Sequence, residues 1–180
     1  MKLIAVVGMS GTGKSVVTDY LTELGWTKIY FGGITYKLMA EQGIERDIEG
    51  KNEKEFREQL RKEHGPECYA KLSEKDIRES LKKNNVVIDG LYSWQEYKFL
   101  IERFKDLKLV CVITDKELRY QRVAKRPDRP FDRKAIEYRD LSEIENLYKG
   151  GPIAYADYYI LNNGTKRKAI SRLKEILEEV

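Results

Sequence analysis

Gly8-Met9-Ser10-Gly11-Thr12-Gly13-Lys14-Ser15 decides the fold of this chain, because it matches the phosphate-binding pattern G-x-x-x-x-G-K-[ST]. In this pattern the glycines let the backbone curl, so that several N–H groups point at the phosphate oxygens of a nucleotide. The lysine reaches the β- and γ-phosphates and the final hydroxyl binds Mg²⁺, which are the roles predicted for Lys14 and Ser15. The predicted nucleotide contacts in this loop are Gly8, Ser10, Gly11, Thr12, Gly13, Lys14 and Ser15.

The residues on either side of the loop supply the context that the pattern requires. Residues 2–7 form an apolar run of strand length, and residues 16–21 continue as a helix. The positive end of that helix, which opens near Lys14, faces the same anion. A glycine-rich turn with an incidental lysine is the alternative, and the order of strand, loop and helix argues against it.

The composition is that of a single domain and argues against a dedicated DNA-binding protein. A chain of 180 residues is long enough for a sizeable core, and a net charge of +4 is only mildly basic, which suits a polyphosphate ligand. Cys68 and Cys111 lie far apart without a metal-ligand pattern, which is typical of reduced thiols. The first apolar run is too short to span a membrane and no cleavage site follows it, so we expect a cytoplasmic protein without a membrane partner.

Strands alternate with helices along the chain, which predicts right-handed β-α-β units and a parallel sheet. The predicted strands are 2–7, 27–31, 86–90, 108–114 and 158–161. The predicted helices are 14–24, 34–42, most of 53–84, 94–104, 115–126 and 165–180. Gly32-Gly33 is expected to break the chain before the second helix, and residues 44–52 are expected to form a loop. Ser93 and Glu96 have the spacing of a capping box at the start of the helix that follows.

The stretch from 53 to 84 is heavily charged and is interrupted at His64-Gly65-Pro66. Its partial apolar stripe consists of Phe56, Leu60, Tyr69, Leu72 and Ile77. Such a charged pair of helices is more often a solvated cover than a core element, so we expect a cover here. His64 at the break is expected to be solvated or to cap a helix end.

Asp89 ends an apolar strand, and P-loop enzymes use an acid in that position to hold Mg²⁺, directly or through water. It could equally position the acceptor, and by itself such an aspartate is more often a helix cap or a loop residue. The nearby aromatic residues Tyr92, Trp94 and Tyr97 could line an acceptor pocket or pack in the core. Both interpretations remain open for each of them.

The arginines of the later part of the chain form the third candidate element. They are Arg119, Arg122, Arg126, Arg129, Arg133 and Arg139. The first three are spaced three and four apart and share one helix face, and phosphoryl transfer needs cations that neutralise the transferring group. Because acidic residues lie among them, a surface ion-pair patch remains an alternative for any single arginine. With the prolines around them, the set predicts a lid over about 127–150.

Nearly the whole chain resembles the nucleoside-monophosphate-kinase-like P-loop kinases, on their dephospho-CoA-kinase-related side. The motifs that carry the resemblance are the loop 8–15, Val87-Ile88-Asp89-Gly90, Arg119-Tyr120-Gln121-Arg122 with Arg126, Tyr138-Arg139-Asp140, and Ala156-Asp157 followed by Ile160 and Asn163-Gly164-Thr165. Residues 63–67 further resemble an archaeal branch of these kinases. In this family the turn at Asn163, Gly164 and Thr165 lies against the adenine of ATP, which makes these residues candidate nucleotide contacts.

The resemblance implies a P-loop NTPase fold of three layers, α/β/α, with a five-stranded parallel sheet in the order 2-3-1-4-5. It also implies one kinase domain over 1–180. The core would comprise 1–31, 85–126 and 155–180, with a helical acceptor-side insert at about 33–84 and the lid at about 127–150.

Two departures from the family bear on the acceptor. Dephospho-CoA kinases, and the archaeal branch too, carry an aspartate just after the second strand, where this chain has Gly32-Gly33. In dephospho-CoA kinases that aspartate takes a proton from a sugar hydroxyl, whereas a nucleotide phosphate is already an anionic nucleophile. Its loss favours a nucleoside monophosphate, although Asp89 could still serve as the base. Relatives also often place an arginine after D-G-x, where this chain has Tyr92, so other cations must contact the acceptor phosphate. The candidates are Lys37, Arg57, Arg61 and Arg78.

The sequence therefore predicts an ATP- and Mg²⁺-dependent kinase whose acceptor is of nucleotide type, with a (deoxy)nucleoside monophosphate favoured. The predicted catalytic residues are Lys14, Asp89, Arg122, Arg126 and Arg139, of which Arg122 also contacts the nucleotide; Ser15 and Asp89 are the predicted metal ligands. One alternative is a true dephospho-CoA kinase. Another is a nucleotide-gated RNA-binding or assembly ATPase, which Lys166-Arg167-Lys168 and the basic lid motivate, although nucleic acid is not the favoured partner. The chain's length and the lack of a second domain disfavour an AAA-type motor, and the oligomeric state is left open.

Overall fold

A five-stranded parallel sheet forms the middle of the protein, in a computed structural model that describes residues 1–45, 47, 51–127 and 130–180. The strands are β1 (Leu3–Val7), β2 (Thr27–Tyr30), β3 (Val86–Asp89), β4 (Leu107–Ile113) and β5 (Tyr158–Leu161). Their order is β2-β3-β1-β4-β5, which confirms the predicted topology. The central strand β1 pairs with β3 on one side and β4 on the other, so that Ala5 lies opposite both Ile88 and Leu109.

Helices cover both faces of this sheet, which confirms the three-layer architecture. They are α1 (Lys14–Glu23), α2 (Phe31–Glu41), α3 (Lys51–His64), α4 (Cys68–Leu81), α5 (Trp94–Arg103), α6 (Lys116–Ala124), α7 (Arg133–Leu147), α8 (Gly150–Ala154) and α9 (Lys166–Glu179). The period-two alternation of β1 divides the core: Leu3, Ala5 and Val7 pack in the cluster that includes residues of α2–α5. Ile4 and Val6 pack in the opposite cluster, with residues of α1 and α9.

The charged pair α3 and α4 is part of the core, so the prediction of a solvated cover is wrong. Phe56, Leu60, Tyr69 and Ile77 are all buried in the cluster beneath the sheet, and only Leu72 of the stripe is exposed, at 42%. The buried faces of these helices also contain residues that the predicted stripe left out, such as Cys68 and Ala70. The high charge therefore describes the outer faces of the two helices and says little about their inner faces. His64 is exposed, as predicted.

Gly32-Gly33 does not break the chain, because α2 begins at Phe31 and contains both glycines. The glycine pair instead leaves space for the side chain of Tyr30. A Cβ on Gly32 would collide with the ring and hydroxyl of Tyr30, and a Cβ on Gly33 would lie 3.2 Å from the same ring. The two glycines therefore let the Tyr30 side chain fold back over the first turn of α2.

The capping box before α5 is confirmed and holds the loop after β3. The Ser93 side chain accepts a hydrogen bond from the Glu96 backbone N–H at 3.0 Å. The Glu96 carboxylate accepts from the backbone N–H groups of Ser93 at 3.0 Å and Tyr92 at 2.7 Å. Burial raises the pKa of Glu96 to about 7, against the charge of Arg61 and these two hydrogen bonds. The consequence is a fixed backbone position for Tyr92.

The segment expected to form a lid is mostly one helix, α7, followed by the short α8. Asp132 caps α7 by accepting a hydrogen bond from the Ala135 N–H at 2.8 Å. Asp128 and Arg129, which belong to the arginine-rich stretch, lie outside the described residues. Across the described ranges, no helix is both long and apolar enough to cross a bilayer.

Candidate active site

The loop between β1 and α1 has the backbone conformation of a phosphate cradle. Gly11 and Gly13 adopt φ values of +83° and +85°, which residues with a side chain rarely adopt. A Cβ on Gly11 would lie 2.6 Å from the carbonyl oxygen of Arg119, and one on Gly13 would strike the side-chain amide of Asn162. Both glycines are therefore required by conformation and by space, and the loop fits a bound polyphosphate.

Lys14 lies at the first position of α1 and folds back over the loop. Its Nζ donates to the carbonyl oxygens of Gly8 at 2.9 Å and Met9 at 3.2 Å. Burial and the charge of Lys149 lower the pKa of Lys14 to about 7, although Glu143 and Asp89 act in the opposite direction. A phosphate in the loop would give this ammonium group a charged partner in place of two neutral carbonyls.

This pKa predicts how nucleotide affinity changes with pH. The charged form of Lys14 binds phosphate, so ATP binding above pH 7 must be accompanied by protonation of Lys14. We expect the Kd for ATP to rise by up to about tenfold per pH unit between pH 7 and 9, with uptake of close to one proton per ATP. Calorimetry in two buffers of different ionisation enthalpy measures that uptake. Lys14→Arg, which stays charged, should abolish the proton uptake, and a pH-independent Kd for the unaltered protein would contradict the prediction.

Asp89 ends β3 beside the start of the loop, since it pairs in register with Val6 of β1. Its Oδ2 accepts from the Thr18 hydroxyl at 3.4 Å and forms an ion pair with Lys28 Nζ at 3.3 Å. Lys28 also donates to Asp19 at 3.0 Å. The structure thus brings Asp89 to the same end of the sheet as Lys14, as predicted, and adds a counterion, Lys28, that the sequence analysis missed. Ser15, the other predicted metal ligand, is exposed in the first turn of α1.

Arg119 is held in a buried ion pair and is therefore not a mobile cation. Its guanidinium donates to the carbonyl oxygen of Ser10 at 2.8 Å and to Asp140 Oδ2 at 2.6 Å. The two side chains are only 8% and 10% exposed, and Tyr120 also donates to Asp140 at 3.3 Å. One buried ion pair therefore ties α6 and α7 to the phosphate loop.

The end of β5 meets the loop through a residue that was not predicted. Asn162 is buried and its Nδ2 donates to the carbonyl oxygen of Thr12 at 2.8 Å. The Thr114 hydroxyl lies within hydrogen-bonding distance of the same oxygen, at 3.1 Å, and Arg122 Nη1 donates to that hydroxyl at 3.4 Å. Arg122 is thus brought to the loop, as predicted.

The turn predicted to lie against the adenine, Asn163 to Thr165, makes hydrogen bonds to the starts of α6 and α9. Asn163 accepts from the Asp115 N–H at 2.9 Å, and Thr165 caps α9 by accepting from the Lys168 N–H at 3.4 Å. Gly164 lies between them and is exposed. The turn follows Asn162 directly and is thus next to the phosphate loop.

The inner side of α7 presents a cluster of charges that the sequence analysis found only in part. Arg139 Nε donates to Glu143 Oε1 at 2.9 Å, and Lys149 Nζ donates to Glu143 Oε2 at 2.7 Å. Burial alone would raise the pKa of Glu143, but the charges of Lys149 and Arg139 lower it to about 2. Arg126 lies near enough to Arg139 that this like charge adds to burial in lowering the pKa of Arg126.

The sequence analysis missed Lys149 and Glu143, although the spacing of Glu143 from Arg139 indicated a contact. Arg139 and Glu143 are four residues apart, so a helix predicted over α7 would have paired them. Lys149 enters the site because Tyr148 adopts a left-handed conformation, with φ of 51°, and reverses the chain after α7. A non-glycine residue in that conformation has no distinctive sequence pattern.

Tyr92, which stands where relatives often carry an arginine, is surrounded by cations. Lys149 Nζ lies 5.1 Å from the centre of its ring. Its hydroxyl is hydrogen-bonded to that of Tyr30, and burial raises the pKa of both tyrosines. The charge of Arg57 acts on both hydroxyls in the opposite direction, and Arg139 acts likewise on Tyr92. The cations that act on Tyr92 are therefore Arg57, Arg139 and Lys149.

The other three cations suggested as acceptor contacts are Arg78, Arg61 and Lys37, and their positions do not favour that role. Arg78 pairs with Glu74 at 2.7 Å and stacks 4.9 Å from the centre of Phe104, which precedes β4 and marks the end of the parallel sheet opposite to the loop. The suggestion for Arg78 is therefore wrong. Arg61 covers the ring of Tyr69 at 5.2 Å, and Lys37 is exposed on α2.

Trp94 and Tyr97 form an aromatic cluster with Tyr155. Their ring centres are 5.4 Å apart, and that of Trp94 is 5.7 Å from that of Tyr155. Tyr97 belongs to the buried core. Trp94 also contacts Gly151 of α8, where an added Cβ would lie 2.9 Å from the indole ring. These contacts favour packing over substrate binding for both residues.

The fold and the loop together define a P-loop kinase-like domain. A family model described as an AAA domain matches residues 4–146. A UPF0200 protein of Thermococcus onnurineus (strain NA1) is 32% identical over 99% of this chain and 97% of that protein. A UPF0200 protein of Sulfurisphaera tokodaii is 30% identical over 100% of this chain and 98% of that protein. The chain belongs to the UPF0200 family and carries the AAA domain.

Several solved structures share this fold, and two of the three described next are kinases by name. TT1252 from Thermus thermophilus covers 99% of this chain, with 97% of its own chain matched, a TM-score of 0.65 and 18% identity. Shikimate kinase from Bacteroides thetaiotaomicron has a TM-score of 0.63 and 16% identity, with 98% of each chain covered. Dephospho-CoA kinase from Campylobacter jejuni has a TM-score of 0.59 and 19% identity, covering 99% of this chain and 96% of its own. These neighbours and the archaeal relatives confirm the resemblance inferred from the motifs.

Proposed function

We propose that this protein is an ATP- and Mg²⁺-dependent kinase that transfers the γ-phosphoryl group to a nucleotide-type acceptor, with a (deoxy)nucleoside monophosphate favoured. One observation carries the proposal. The lysine of the phosphate loop shares one end of the sheet with Asp89, Arg139 and Lys149, all close enough to affect its pKa. A site of this kind surrounds a transferring phosphoryl group from both sides.

On the donor side, the N–H groups of the loop and Lys14 would bind the phosphates of ATP. The exposed Ser15 hydroxyl and the Asp89 carboxylate fit the oxygen ligands that Mg²⁺ prefers. The bound ion would neutralise charge on the β- and γ-phosphates. Arg119 and Asn162 would hold the loop in place through the carbonyl oxygens of Ser10 and Thr12.

On the acceptor side, the structure supports a substrate that brings its own phosphate. Tyr30 and a glycine pair occupy the region where relatives carry a proton-accepting aspartate. Asp89 Oδ2 is already engaged by Lys28 and Thr18, which favours a metal-binding or structural role over that of a base. A phosphate acceptor needs no base at neutral pH, because it is already anionic.

The segment 127–150 is proposed to act as the lid, within the core, insert and lid division expected from the sequence. Arg122, Arg126 and Arg139 would close over the transferring group, exclude water and neutralise its charge. The turn at Asn163, Gly164 and Thr165 would lie against the adenine.

A panel of acceptors tests the proposal. We expect at least one nucleoside or deoxynucleoside monophosphate to support ADP formation at about 1–100 s⁻¹, and dephospho-CoA to support none. A coupled assay for ADP, with acceptor-free and enzyme-free controls, gives the readout. If only dephospho-CoA supports turnover, the protein is a kinase but the proposed nucleoside monophosphate acceptor is wrong. If ATP binds but no acceptor yields ADP above background, the kinase proposal is wrong.

A further inference from the structure

We propose that Lys149 and Arg139 form a phosphoryl-binding clamp, and that Glu143 is an internal anion that occupies this clamp when the donor site is empty. The inference rests on the proposed function, since it assigns the residues that bind the terminal phosphoryl group of ATP at the same site. It adds a substrate-binding residue, Lys149, and a competing carboxylate, Glu143, to the loop and the arginines discussed above.

The geometry of the clamp is that of one anion shared between two cations. Each oxygen of the Glu143 carboxylate accepts from a different cation, Oε1 from Arg139 at 2.9 Å and Oε2 from Lys149 at 2.7 Å. Lys149 is 1% exposed, so its ammonium group has left water for this contact. A phosphoryl group offers the same two cations three oxygens and a larger negative charge.

The position of the clamp relative to the loop indicates which phosphate it would bind. Lys149 Nζ lies over the ring of Tyr92, which follows β3 just after Asp89, and Asp89 pairs in register with Val6 next to the phosphate loop. Helix α7, which carries Arg139 and Glu143, is tied to the same loop because Arg119 bridges Asp140 and the Ser10 carbonyl oxygen. The charge of Lys149 accordingly acts on the pKa of Lys14. The clamp therefore lies next to the lysine that reaches the β- and γ-phosphates. A terminal phosphoryl group held by Lys14 would be within reach of Lys149 as well.

The balance of charge shows why an anion is needed here. The cations that influence one another at this position are Lys14, Arg126, Arg139 and Lys149, and the acids that influence them are Glu143, Asp89 and Asp140. Asp89 is already paired with Lys28, and Asp140 with Arg119. Buried positive charge without enough negative charge is unfavourable, and a bound polyphosphate corrects the imbalance. Glu143 corrects part of it in the absence of substrate.

The backbone conformation around Lys149 directs its side chain towards Glu143 and Tyr92. The left-handed residue Tyr148 reverses the chain, and the Lys149 N–H then donates to the carbonyl oxygen of Glu143 at 3.2 Å. The side chain returns beneath α7 and over the ring of Tyr92. Residues in sparsely populated backbone conformations are concentrated at functional sites, where their surroundings hold them in place.

Binding of ATP and ADP to matched variants tests the clamp. The variants are K149M, E143Q, the double variant E143Q/K149M, and E117Q, which removes a carboxylate from the exposed pair of Glu117 with Arg133 in the same region. For K149M we expect at least tenfold weaker binding of ATP and less than threefold weaker binding of ADP, measured by calorimetry at pH 7. For E143Q, which removes the competing anion, we expect ATP to bind at least threefold more tightly and to raise the Tm by more than it does in the unaltered protein. E117Q should change neither affinity.

Two results would overturn the clamp. If K149M and E143Q lower the Tm but leave the ratio of ATP to ADP affinity unchanged, the ion pair is only structural. If E143Q weakens ATP binding as K149M does, Glu143 orients the cations and does not compete with substrate. If K149M does not fold, the double variant, which leaves no unpaired buried charge from this pair, must show the same selective loss of ATP over ADP. Because these measurements use nucleotide binding alone, they stand apart from the acceptor panel, whose failure would remove the kinase proposal and leave the clamp intact.

Discussion

Lys14→Met is expected to lower kcat/KM for phosphoryl transfer by at least about 10²–10³-fold, while the protein keeps its fold. The loss follows because the lysine is the charge of the loop that reaches the phosphates between which the bond breaks. Stability should not fall. The pKa of Lys14 is lowered to about 7, which means that the folded protein disfavours its charged form. At pH values below the ordinary lysine pKa, removing this charge should therefore increase the free energy of unfolding or leave it unchanged.

The measurement combines turnover with thermal unfolding of the same preparations at pH 7. Lys174→Met, on the exposed face of α9, is the matched control and should leave both quantities unchanged. A K14M protein with more than a tenth of the original activity would contradict the assignment of Lys14. A marked fall in its Tm would contradict the argument from its pKa.

Arg119→Met is expected to reduce the free energy of unfolding by about 3–5 kcal/mol, because it leaves the Asp140 carboxylate buried without its cation. For a chain of this size the Tm should fall by about 10 °C. The variant should also bind ATP weakly, since the Ser10 carbonyl of the phosphate loop loses its only guanidinium contact among the described hydrogen bonds. Urea unfolding and nucleotide calorimetry provide the two measurements.

An exposed pair from the same two helices supplies the control for this change. Arg133 contacts Glu117 at 2.7 Å, but both side chains are about 60% exposed, at 59% and 62%, so Arg133→Met should have no measurable effect. The double variant R119M/D140L, which replaces the buried pair by apolar side chains, should recover most of the lost stability. It should not recover ATP binding. Equal losses in R119M and R133M would show that burial of the pair has no influence.

The sequence was most informative where function depends on neighbouring residues. The phosphate loop, the strand that ends at Asp89 and the capping box at Ser93 and Glu96 are all written within a few consecutive positions. The sheet order followed from the resemblance carried by those motifs, and the structure confirms it.

The residues that were missed depend on distant parts of the chain. Asn162 contacts the loop because β5 lies at the end of the sheet order, and Lys28 reaches Asp89 because β2 and β3 are adjacent. Lys149 depends on the chain reversal at Tyr148. None of these contacts follows from spacing along the sequence, because each is made by folding of the whole sheet.

The arginines of α6 show a finer limit. Their spacing predicts one helix face for Arg119, Arg122 and Arg126, but α6 ends at Ala124, before Arg126. Spacing also could not distinguish the buried Arg119 from Arg122 nearby. The rotation of α6 against the loop decides which guanidinium meets Ser10 and Asp140. The charged helices α3 and α4 were misjudged for a related reason, since mean charge does not reveal how well one narrow face is packed.

The glycine pair beneath Tyr30 also restricts which side chains can occupy the start of α2. An aspartate at position 32 needs a Cβ where the ring and hydroxyl of Tyr30 now lie. The tyrosine hydroxyl is in turn hydrogen-bonded to Tyr92. Gly32→Asp alone would place two groups in one volume, so the Tyr30 ring would have to move for the acid to fit. Replacing Tyr30 by a smaller residue at the same time would remove this conflict.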